Sequence, residues 1–118
     1  TTPVQWTIFA NQVMFAPLLV LGQVVNKDQW DGYNFERQKI LDFLYGWGIN
    51  NMVVITGDIH TSWASDVPNS SLGPYGANGQ GSATVEFVTP SVTSPSIDFG
   101  GGIGASAIQS LENTKVKT

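Results

Sequence analysis

Apolar residues gather in a few short stretches of the chain, and their spacing differs from one stretch to the next. Residues 5–10 (QWTIFA) concentrate aromatic and β-branched side chains and predict a strand. Over residues 35–47, Ile40, Leu41, Leu44 and Trp47 recur at helical spacing, leaving Glu36, Gln38, Lys39 and Asp42 for solvent. This predicts a helix with Asn34 as its N-cap and Gly48 as its stop. Residues 52–56 are apolar on consecutive positions, the pattern of a strand covered on both faces. Residues 82–90 (SATVEFVTP) predict another strand, and residues 105–113 a final helix.

The intervening segments are less regular. Residues 11–33 show no period and are broken by Pro17, Gly22 and Gly32. Ordered connections of that length in compact domains often carry function. Residues 61–67 read as a short strand or an irregular turn, while residues 68–81 and 90–104 are punctuated by Gly, Pro and Ser and predict loops. No internal repeat is present. A helix leading into a buried strand predicts an α/β unit, a mixed sheet flanked by two helices. With few strands and many loops, one face of that sheet would lack cover. Residues 1–118 are therefore expected to form part of a layered α/β domain, not a self-sufficient one.

Composition narrows the function classes. A hydrophobic fraction of 42% argues against disorder, and 12% charged residues lies below the roughly 25% of an average soluble domain. Such a chain belongs inside a larger assembly or is a piece of one. The net charge is −4, and Lys27, Arg37, Lys39, Lys115 and Lys117 form no stripe, which argues against nucleic-acid binding by phosphate neutralisation. Without cysteine there is no thiolate metal site, disulfide or cysteine nucleophile. The longest apolar stretch, residues 15–25, is interrupted by Pro17, Gly22 and Gln23 and is too short to span a bilayer. No signal peptide is visible, and the start at Thr1 suggests an N-terminus removed by processing, cloning or proteolysis.

Chemistry concentrates in Gly57-Asp58-Ile59-His60, directly behind the apolar run at 52–56. In an extended backbone, residues two apart point to the same side, so Asp58 and His60 would converge at the end of a strand. Oxygen and nitrogen donors meeting there suit a hard or borderline metal ion, with Gly57 giving room for close approach or an unusual backbone angle. The same triplet also reads as a turn carboxylate beside a surface histidine. Asp31, Asp66 and Glu86 could orient such a histidine, although Asp66 and Glu86 read better as solvated surface carboxylates.

Asn11 follows the first strand as Asp58 follows its own, at the carboxyl ends where α/β sheets build sites. It could line a site or simply cap the strand end. Trp30, Asp31 and Tyr33 form a turn that is either a pocket wall or a folded-back turn with Trp30 on the core. Arg37 reads as a structural partner of Asp31 or Asp28. The glycines at 100–104 lack the spacing and the lysine of a phosphate loop, and no G-x-S-x-G elbow exists. Asn69-Ser70-Ser71 matches a glycosylation acceptor, a match that is common by chance.

Four blocks in order carry a resemblance. They are W-T-I-F-A-N-Q-V-M from Trp6; D-Q-W-D-G-Y from Asp28, with Glu36-Arg37; V-V-I-T-G-D-I-H-T-S-W-A from Val53; and E-F-V-T-P-S-V-T-S-P from Glu86. Together they resemble the C-terminal part of PhoD-like alkaline phosphatases, in the calcineurin-like metallophosphoesterase superfamily. The resemblance implies the C-terminal part of a four-layered αββα sandwich with a mixed sheet, and a dinuclear metal centre. It implies metal-dependent hydrolysis of phosphate monoesters, or diesters, with Asp58 on one metal and His60 on the other. Calcium and iron are implied; by ligand type, zinc or manganese also suits His60. A periplasmic or secreted location is implied too.

Asn11, Trp30, Asp31 and Tyr33 lie in family blocks without an assigned role, and no catalytic residue is assigned in this chain. The superfamily's earlier motifs, including a W-D-D-H-E type block, are missing from the 118 residues. An N-terminal portion is therefore the expected partner, and the isolated chain is expected to be inactive. The alternatives are a related hydrolase with another substrate, and a non-catalytic structural or binding domain derived from the same fold.

Overall fold

The computed structural model describes residues 4–20, 22–24 and 26–94. The expected helix at 105–113 and the glycines at 100–104 lie outside the described residues. Four strands build the main sheet: β1 (Thr7–Ala10), β4 (Met52–Thr56), β5 (Trp63–Pro68) and β6 (Ser82–Val88), in the order β1-β4-β6-β5. The β1–β4 and β4–β6 pairs are parallel, and β5 runs antiparallel to β6, so the sheet is mixed. Residues 61–67, read as strand or irregular turn, are largely β5. The aperiodic stretch after β1 contains a small hairpin, β2 (Leu19–Val20) with β3 (Gln23–Val24), and a 3₁₀ turn, Trp30–Gly32.

The helix α1 spans Asn34–Gly46. Asn34 is its first helical residue and not its cap: Tyr33 holds that position, without a side-chain cap bond, while Asn34 Oδ1 accepts from Arg37 Nη2. Leu41 enters the core and Ile40 and Leu44 pack against it, but Trp47 is 74% exposed and lies at a tilt beside Phe43 instead. Trp47 lies past the last helical turn, where the backbone no longer holds the helical stripe.

One face of the sheet carries the core. Val54 and Met52 on β4, Val67 on β5 and Val88 on β6 meet Leu41 of α1 and four loop residues, Met14, Phe15, Ala16 and Leu18. The segment after β1 thus folds back as a second layer over the sheet. Phe15 is fully buried and packs edge-on against Phe9 (5.6 Å) and Trp30 (5.0 Å). Such pairs contribute about 0.5–1.5 kcal/mol each beyond burial.

Among the described residues, nothing packs on the opposite face. Ile8 (56%), Ile55 (41%), Val85 (38%) and Phe87 (50%) are exposed along three adjacent strands. The expectation that 52–56 is covered on both faces therefore holds on one side only. The described residues build two layers, sheet and helix-plus-loop.

Candidate functional site

Topology decides where the Asp58–His60 segment must run. The chain leaves β4 on one side of β6 and returns as β5 on the other, so residues 57–62 cross the carboxyl end of β6. Thr89, just past β6, donates its backbone N–H (2.9 Å) and its hydroxyl (3.1 Å) to the Thr56 carbonyl. The backbone N–H of Asn11, just past β1, donates to the Ile55 carbonyl (3.0 Å). Three neighbouring strand ends are thereby tied into one edge, the edge where α/β sheets place ligands.

The segment does not stay extended. Asp58 has φ 72° and His60 φ 58°, the only non-glycine residues with positive φ among those described. Ile59 N–H donates to the Gly57 carbonyl at 2.9 Å, closing a tight γ-turn around Asp58. Extended alternation therefore cannot be what sets the directions of the two side chains. What holds them is Ile59, which is buried in the core while Asp58 is exposed and His60 half-buried. Positive φ at non-glycine residues is strained, and such strain clusters at functional sites. The unusual angles fall on Asp58 and His60, not on Gly57, where an added Cβ would meet only Thr89 at ordinary contact distance.

The other candidates separate into different roles. Asn11 Nδ2 donates to the Val13 carbonyl (2.6 Å), the strand-end turn role. Trp30 packs on Phe15, as the folded-back turn predicts, and Tyr33 is exposed. Asp31 is buried: its Oδ2 accepts from Leu18 N–H (2.8 Å) and its Oδ1 pairs with Arg37 Nη1 (2.9 Å). Arg37 Nη1 also donates to the Phe15 carbonyl (3.0 Å), so the expected Asp31–Arg37 pairing fastens the loop above the sheet. Asp66 is half-buried and accepts from the Tyr75 hydroxyl (2.7 Å). That bond, with some burial and the carboxylate charge, holds the Tyr75 phenol above its ordinary pKa. Asn69 is fully buried, its Oδ1 taken by Gln38 (2.7 Å) and Ser71 N–H (2.8 Å), a poor setting for glycosylation.

Glu86 overturns its sequence reading as a surface carboxylate. It is fully buried and accepts hydrogen bonds from Phe15 N–H (2.8 Å), Ala16 N–H (2.5 Å) and the Thr56 hydroxyl (2.5 Å). A glutamate in the middle of a strand-like run was the available signal, and its partners lie 30 to 71 positions away. Thr56 and Thr89 tie the edge together, and nothing in their residue types or spacing marks them for that role.

Asp58 and His60 are donors of the right type for a metal ion. Among the described residues, no group of three or more His, Cys, Asp or Glu could hold one.

Comparison with known proteins shows the family of the chain. A family model described as PhoD-like phosphatase matches residues 1–117. Alkaline phosphatase D of Bacillus subtilis (strain 168) is 36% identical over 107 residues, 85% of this chain but 16% of that protein. A solved structure titled "Structure of PhoD" superposes with TM-score 0.61 and 33% identity, covering 76% of this chain and 17% of that one. The chain spans about a sixth of the length of these relatives, and its mixed α/β sheet is a fragment of their fold. It belongs to the PhoD-like phosphatase family.

Proposed function

We propose that a full-length protein carrying this chain hydrolyses phosphate monoesters, with diesters as the neighbouring class, at a dinuclear metal centre. The observation that carries this is the strained Asp58–His60 turn, seated on buried Ile59 across the carboxyl edge, in a chain of phosphatase family. Asp58 would give an oxygen to one metal and His60 a nitrogen to the other. Carboxylate oxygen suits calcium, and imidazole suits iron, zinc or manganese. When bound, such a pair activates a water and neutralises charge on the phosphoryl oxygens.

This chain's own part is to hold both donors on one rigid edge. The remaining donors, and cover for the open sheet face, would come from an N-terminal portion, as in a four-layered αββα sandwich. A secreted or periplasmic location goes with this reading. Metal analysis and p-nitrophenyl phosphate turnover of the full-length protein test it. Near-stoichiometric transition metal with calcium-supported turnover is expected. Less than about 0.1 equivalent of transition metal, with no turnover, would leave the non-catalytic reading.

A further inference from the structure

We propose that Glu86 is a positioning residue for the Asp58–His60 turn, acting through Thr56; this rests on the metal-centre reading above. Thr56 ends β4, two residues before Asp58, and three bonds fix it: its carbonyl to Thr89, twice, and its hydroxyl to Glu86 Oε1. The same Oε1 accepts from Phe15 N–H, and Oε2 from Ala16 N–H. One buried carboxylate therefore joins three elements: β6, the end of β4, and the loop laid over the sheet.

No backbone ladder could join the last two. Phe15 and Ala16 lie above the sheet, not in it, and their N–H groups would be buried without these partners if Glu86 were absent. Asp31 repeats the device at Leu18, so both ends of the buried loop hang on carboxylates. Of the two, Glu86 alone reaches the strand end that carries the candidate donors. The γ-turn at Asp58 is anchored on one side by buried Ile59 and on the other by Thr56; Thr89 holds the Thr56 carbonyl, and the Glu86 bond is what fixes its side chain.

The test uses the full-length protein and the pair Thr56→Val and Thr56→Ser, with Glu86→Gln. Thr56→Val keeps the shape of the side chain, removes one donor, and leaves both loop N–H bonds to Glu86 in place. It should fold, lower kcat by about 10-fold with KM little changed, and weaken transition-metal retention on dialysis by about 10-fold. Thr56→Ser should restore both. Glu86→Gln places an NH₂ group among donors and should do at least as much; if it fails to fold, the Thr56 pair decides. A merely structural bond would lower the melting temperature and leave kcat and metal retention per folded molecule unchanged. That result, or a serine variant as impaired as the valine, would overturn the proposal. His60→Ala in the same series keeps the two claims apart. If it retains metal and activity, the metal-centre reading fails; if it loses them while Thr56→Val keeps them, only the positioning role fails.

Discussion

At Gly57 and Asp58 the chain reverses an ordinary expectation, because the glycine is conformationally regular and the aspartate is not. Gly57→Ala should therefore fold with a melting temperature close to wild type; a large loss would show that the space beside Thr89 is needed by the backbone itself. Gly32 is the opposite case. A Cβ there would overlap the Lys27 carbonyl oxygen, so Gly32→Ala must displace the turn that carries Trp30 and Asp31. A loss of roughly 1–3 kcal/mol in chemical denaturation is expected, the scale of an overpacked site. Tyr75 supplies a pH signature. Its folded pKa is raised from 10.0, so the associated stability is complete below that value and is lost as pH rises through the folded pKa. Tyr75→Phe should flatten the alkaline end of the melting-temperature profile; an unchanged profile would show that the Asp66 bond does not persist in solution.

Among the elements, β6 shows most clearly what the sequence could and could not convey. Its strand character, like that of β4 and the helix α1, was legible from residue types and spacing. Its orientation was not. Val85 and Phe87 alternate with Thr84 and Glu86, and a reader would turn the apolar pair inward. The structure turns Thr84, Glu86 and Val88 inward and leaves Val85 and Phe87 open. The polar pair is accepted because Thr84 donates to the Met52 carbonyl (2.6 Å) and Glu86 gathers loop N–H groups, partners that lie far off in sequence. The same distance hid the loop at 14–18, whose lack of period conceals a core layer. Phe15→Ala should cost about 3–5 kcal/mol, as for a fully buried aromatic, and a loss under about 1 kcal/mol would mean the loop is not part of the core.

For the molecule as a whole, the position of the candidate donors was legible and their geometry was not. Residue types and order located Asp58 and His60 behind a strand, but the γ-turn around Asp58 depends on Ile59 finding the core. A sheet with one packed and one open apolar face matches a chain that spans a sixth of its relatives' length. The chain produced alone should show no p-nitrophenyl phosphate turnover with calcium and iron supplied; metal-dependent turnover would show that its own residues complete a centre. The most direct measurement is made on His60→Ala in the full-length protein, following kcat/KM and bound transition metal together. A drop of about 100-fold or more in kcat/KM, with loss of transition metal and a wild-type melting profile, is the expected outcome. Retention of most of the activity and the metal would show that His60 is not a ligand.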